Sequence, residues 1–346
     1  MASESAAQPA CPITSRSVRY GVAVLLLVFY IHGFLRGGEW YGWALFGVLL
    51  IPAAIGLMAT TRAVPRAARP RVEDVALALA ATCLVAAGVR FADMPPVLAA
   101  SLMGVVAACV SMLHSRVAAA AVPLYCGAFA GMTSELVLAG WPAVAVSGLL
   151  AGLLVSLLRA SWDGVGGKLG LLAFGGVYLT AWATRALGTY GGGAPVLELD
   201  RADRVALVVV APVAAFVTLA LRRRGVAPVL ASAAPSAVFT LVLFVLDDHG
   251  LVGDLLPLSF TPLCVAWFGG SFIGMTAPGR VGDRLWPLLV AAALFGVLQV
   301  TFKPAIAGYG GDFGASAVVA VLVMIGLIEL VRVVGLRTAE PPAPAS

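Results

Sequence analysis

The chain has 346 residues, of which 61% are hydrophobic and 11% charged, with a net charge of +5. Soluble domains carry closer to a quarter charged residues, so this composition excludes an ordinary soluble protein and points to an integral membrane protein. The positive balance is no footprint of nucleic-acid binding, because the arginines cluster between apolar runs, where they act as topology signals.

Residues 1–19 form a polar tail, followed by an apolar run without a small-residue cleavage site. That pattern predicts a first span rather than a removed signal peptide. Clusters of Arg, Asp, Gly and Pro divide the chain into twelve apolar segments, each near the length that a bilayer core requires. They fall at 20–35, 41–60, 74–90, 95–113, 119–139, 142–158, 169–187, 205–221, 226–246, 257–277, 285–302 and 314–331.

Cations fix the expected orientation. Arg16 and Arg19 precede the first segment, Arg62 to Arg71 follow the second, and His114 and Arg116 follow the fourth. Arg159 and Lys168 follow the sixth, Arg222 to Arg224 the eighth, Arg280 and Arg284 the tenth, and Arg332 and Arg337 the last. If every segment crosses, all of these lie on one side, which the positive-inside rule makes cytoplasmic. Both termini are then inside, and Asp247, Asp248 and Asp254 lie outside.

One motif occurs twice. Phe129, Gly131, Met132 and Thr133 match Phe272, Gly274, Met275 and Thr276 at an offset of 143. Trp141-Pro142 matches Trp286-Pro287 at 145, and the glycines of 164–170 match those of 308–314 at 144. Upstream, "PVLAAS" from Pro96 echoes "PVLASA" from Pro228 at 132. Matches in one order at nearly one offset predict an internal duplication. Each copy holds five segments, 73–190 and 202–333. An odd number inverts the second copy across the bilayer, the layout in which transporters place their site near the midplane. The fold class expected is therefore an all-α polytopic membrane protein of about twelve transmembrane helices: two N-terminal helices (20–72), two inverted five-helix repeats and a cytoplasmic tail at 334–346.

The repeated motifs admit two uses. Gly127-x-x-x-Gly131 and Gly270-x-x-x-Gly274 make small faces for close helix packing. Alternatively each helix breaks after its second glycine, and the freed amides with the Thr133 or Thr276 hydroxyl line a cavity. Pro278 favours a break in the second copy. Ser134 and Glu135 follow the first motif, and Glu135 has no acidic counterpart. The segments containing Gly166, Gly167 and Lys168, and Gly310, Gly311 and Asp312, each precede the last helix of a copy. There the glycine amides and the helix dipole suit an anion or the carbonyl of a neutral solute. Neither segment has the Gly-Lys-Ser/Thr ending of a nucleotide-binding loop.

Of the 22 Lys and Arg residues only Lys168 and Lys303 are lysines, both close to these segments, with Asp163 and Asp312 nearby as partners. Phe129, Phe272, Met132 and Met275 are candidates for apolar walls or gates. The five cysteines make no C-x-x-C pair, so neither a disulfide framework nor a zinc site is indicated. No Ser/His/Asp set and no paired acids occur within the apolar segments, so no enzyme, metal or cofactor is expected.

In organisation, residues 74–331 resemble bacterial urea transporters, whose inverted five-span halves each carry a polar motif in a broken region before a Gly-rich turn. The resemblance implies a solute path between the halves. That family's Asn-Pro-Leu-Thr-Gly motif reads "GMTSEL" and "GMTAPG" here, and the chain contains no Asn. Other five-plus-five folds, including bile-acid and amino-acid symporters, share the layout. The expected function is a transporter or channel for a small polar solute, an anion among the candidates, in a bacterial inner membrane. Lipid bilayer and solute are the expected partners, with room for a coupling ion and a homo-oligomer. A non-transporting scaffold subunit of an envelope or secretion assembly, or a lipid flippase, are the alternatives.

Overall fold

A computed structural model describes residues 40–61, 71–113, 117–159, 161–188, 199–254, 258–281 and 284–338. The expected first span at 20–35, the N-terminal tail and residues 339–346 lie outside the described residues. Every described element is helical, and six helices are long and apolar enough to cross a membrane. Each expected segment from 41–60 onward has a helix: α1 (Trp40–Thr61), α2 (Val72–Phe91), α3 (Pro96–Leu113), α4 (Ala121–Gly131), α5 (Trp141–Leu158) and α6 (Lys168–Ala186). Then come α7 (Arg201–Arg223), α8 (Pro228–Asp248), α9 (Phe260–Gly274), α10 (Trp286–Ile306) and α11 (Asp312–Thr338). The last helix runs seven residues beyond its expected end at 331.

The helices form because long aliphatic runs without water must satisfy their backbone groups internally. Their starts follow local chemistry. Pro96 and Pro228 stand first in α3 and α8, and Pro142 and Pro287 stand second in α5 and α10, positions where proline forfeits no intrahelical bond. Asp200 caps α7 by accepting from the Asp203 amide at 2.7 Å. Asp203 in turn accepts from the amide and hydroxyl of Ser259, both at 2.8 Å, tying the start of α7 to the start of α9.

Two of the expected crossings are short. α4 has 11 residues, about 16 Å at 1.5 Å per residue, and α9 has 15, about 22 Å. Both fall short of the roughly 30 Å hydrocarbon core. α4 ends at Gly131 and gives way to a non-helical stretch that lasts until Trp141. α9 ends at Gly274, with one helical turn at Pro278–Val281 before α10.

Packing within 72–186 recurs within 201–338. α2 packs on α4 and α5, as α7 packs on α9 and α10; α4 and α5 meet α6, as α9 and α10 meet α11. Between the two sets, α3 lies on α8 and α6 on α11, while α1 lies on α11. Glycine sets the closest approaches. A Cβ on Gly131 would come within 2.6 Å of the Thr82 carbonyl on α2, and one on Gly274 within 2.5 Å of the Ala215 carbonyl on α7. The glycines thus seat α4 and α9 on their neighbours, and each helix stops at the second glycine.

Candidate functional site

The Gly-Met-Thr segments and the Gly-rich segments meet crosswise. Thr133 Oγ1 accepts the amide of Gly310 at 3.2 Å, and Thr276 Oγ1 accepts the amide of Gly166 at 3.2 Å. Beside them, the Ser134 amide donates to the Gly308 carbonyl at 2.9 Å and the Ala277 amide to the Gly164 carbonyl at 2.8 Å. Each junction binds the end of one short helix to the loop before the last helix of the other set. A Cβ on Gly166 or Gly310 would sit 2.6 Å from the threonine oxygen, so only glycine lets these backbones approach. Gly167 and Gly311 have φ of +82° and +87°, a left-handed conformation that glycine adopts without steric cost.

Two cavities flank this crossing. The first, about 530 Å³, is lined by Gly131, Met132, Thr133, Ser134 and Glu135 together with Gly310 and Asp312. The second, about 550 Å³, takes Gly166, Gly167 and Lys168 from one set of helices and Met275 from the other, with Phe129 and Phe272. Gly274, Thr276 and Gly311 support the walls without lining either cavity. Lys303 belongs to α10, but its side chain lies outside the described residues.

An aromatic cluster lies where the short helices face each other. The Phe129 and Phe272 rings are 5.0 Å apart and Phe268 and Phe272 4.5 Å. Tyr125 stands 4.4 Å from Phe129. All four side chains are buried, and edge or tilted contacts of this kind add to the stabilisation from burial alone. Tyr125, Phe129 and Phe272 also border the second cavity. Tyr125 and Phe268 were not among the expected site residues. Their signal was present, since each stands one helical turn before the repeated phenylalanine.

The charged groups differ between the cavities. The first cavity has Arg90 and three acids, Asp93, Glu135 and Asp312, among its described lining residues. Arg90 donates to the Leu138 carbonyl at 2.7 Å, lies 3.2 Å from Glu135, and sits over the Trp141 ring. The second has Arg159, Lys168 and Arg222 against Asp163. Arg222 donates to the carbonyls of Gly274 and Thr276 at 3.2 and 2.8 Å, neutralising the negative end of α9 where it breaks. Arg159 spans both Asp74 oxygens at 3.2 Å and the Ala119 carbonyl at 2.7 Å. Lys168 donates to the Arg159 carbonyl at 2.6 Å. The arginines escaped the sequence reading because their work is done on backbone carbonyls of distant segments. Arg90 alone carried a hint, lying where the cation pattern placed no arginine.

No group of three or more His, Cys, Asp or Glu residues is placed to hold a metal among the described residues. The site is thus a pair of cavities, the second of which is bordered by the aromatic cluster. No family model, curated protein or solved structure matches the chain.

Proposed function

We propose that the protein is a multi-pass transporter or channel for a small polar solute, built from two inverted five-helix repeats at 73–190 and 202–333. The solute binds between the halves, near the bilayer midplane, at the broken Gly-Met-Thr helices. One observation carries this reading: two cavities of nearly equal volume, each bordered by the Phe-x-Gly-Met-Thr stretch of one set and the Gly-rich loop of the other, with buried aromatic rings along the second. Reciprocal Thr–Gly hydrogen bonds between residues that match at the repeat offsets of 143 and 144 support the duplication, and five helices per copy support inversion. In a bacterial inner membrane the second cavity, rimmed by Arg159, Lys168 and Arg222, faces the cytoplasm. The aromatic cluster closes the path, and a shift of one half against the other opens it to either side.

The glycine contacts favour a second reading. Gly131 and Gly274 have an evident packing role, which is all that a non-transporting scaffold subunit would ask of them. Proteoliposomes separate the two. Tracer flux across a panel of small anions, cations and neutral solutes is measured for the wild type and for the Phe129→Ala/Phe272→Ala variant. Transport predicts a wild-type response to one solute class and a leak in the variant. Silence from both proteins, each shown folded by its elution profile, leaves the scaffold reading.

A further inference from the structure

The cations that border the two cavities are not equally supplied with counter-charge. Arg90 stands 3.2 Å from Glu135, and Arg159 spans both Asp74 oxygens at 3.2 Å. Lys168 and Arg222, both partly buried on the second cavity, make no ion pair with a carboxylate among the described residues. Arg222 donates from Nη1 alone, to the carbonyls of Gly274 and Thr276, and Lys168 donates to the Arg159 carbonyl. A guanidinium carries five N–H donors and an ammonium three, so both keep donors for a further acceptor.

One junction brings these two cations together. Thr276 accepts the Gly166 amide on its hydroxyl and Arg222 on its carbonyl, and Lys168 follows Gly166 by two residues. Arg159 is matched by Asp74, and the one acid among the cavity's described lining residues is Asp163, which is exposed. Lys168 and Arg222 against Asp163 leave one positive charge over. Lys168 is also the first residue of α6, where the helix dipole is already positive. Its counterpart at the offset of 144 is Asp312, first residue of α11, an acid that suits such an end. Close packing at the glycines asks for neither charge, and a half-buried cation without a counter-ion is costly.

We infer that the second cavity binds a small organic anion, its carboxylate held between Lys168 and Arg222 and its apolar body set against the Phe129 and Phe272 rings. The chemistry divides that way because the charge gathers at one junction, while Val122, Val229 and Met275 line the cavity beside those rings. A volume of about 550 Å³ lies within the usual range for a small-molecule site, which is mostly apolar with a few placed polar groups. An inorganic anion would find nothing on the apolar walls to replace its water. The anion's place on a path across the membrane rests on the transport reading above; its binding rests on the cavity alone.

The test is calorimetric titration of the full chain in detergent with benzoate, benzamide, benzylamine and nitrate, for the wild type, Lys168→Gln and Arg222→Lys. Gln keeps a donor for the Arg159 carbonyl and Lys one for the carbonyls that end α9, so melting temperature and elution should be unaltered. Expected is a wild type that binds benzoate at least about tenfold more tightly than the other three probes. Lys168→Gln should weaken benzoate about tenfold, as loss of one hydrogen bond to a charged group implies, and leave benzamide unchanged. Arg222→Lys keeps the charge but gives up the paired N–H fork; it should also weaken benzoate, and it decides the matter if Lys168→Gln misfolds. Benzamide or benzylamine bound as tightly as benzoate overturns the anion, and nitrate bound as tightly overturns the organic body. Benzoate binding that neither folded variant weakens, or none at all in folded wild type, overturns the site, while the tracer panel above decides transport by itself. Benzoate binding without flux of any solute upholds the site and overturns its place on a path.

Discussion

The two cavities share a construction and differ in charge. Each has a glycine amide held by a threonine hydroxyl from the other set of helices, yet one is rimmed mainly by acids and the other mainly by cations. The construction follows from backbone packing, where only a glycine fits, so it repeats wherever the motif repeats. The charges sit on side chains near the ends of helices, where topology and local partners decide them. One recurring backbone construction can therefore carry two different electrostatic faces.

The ion pairs give the largest contrast and the first way to break it. In the second cavity Arg159 bridges Asp74, the side chains 20% and 5% exposed; in the first Arg90 meets Glu135, whose side chain is 64% exposed. Arg159→Met would leave Asp74 buried without its partner and should cost about 3–5 kcal/mol, read as a large fall in melting temperature. A loss below about 1 kcal/mol would mean that Asp74 is solvated, and the contrast would fail.

The two Thr–Gly junctions come next. Thr133→Val and Thr276→Val each leave a buried glycine N–H without its acceptor, which costs about 1–3 kcal/mol. The two losses should be equal within error, and Ser at either position should restore most of the stability. Unequal losses would show that the junctions are equivalent in form only. The smallest effect belongs to Glu135→Gln, which removes an exposed ion pair worth at most about 1 kcal/mol. It should leave melting almost unchanged and lose what little effect it has in high salt.

Much of the architecture was legible in the chain. Apolar runs bounded by Arg, Gly and Pro placed helices at every segment from 41–60 onward, because a helix is the only way such a run can satisfy its backbone away from water. The double Phe-x-Gly-Met-Thr marked both helix ends, since glycine followed by polar residues ends an apolar helix locally. The full role of Thr133 was not legible: it stands on the first cavity, and its oxygen also holds an amide 177 residues away. Arg222 and Arg159 read as topology signals and proved to hold backbone carbonyls and a buried carboxylate as well. Nothing in the order of residues announced that Ser232 and Ser271 stand 2.7 Å apart on different helices.

By itself, then, the sequence determined the apolar helices and marked two glycine motifs where a helix could end, because hydropathy, proline and glycine act over a few residues along the chain. The tertiary structure alone decided which glycine each threonine holds, which arginine neutralises which helix end, and which buried serines meet. Those are distances between segments far apart in sequence, and only the close approach of helices at glycine brings them within reach of a hydrogen bond.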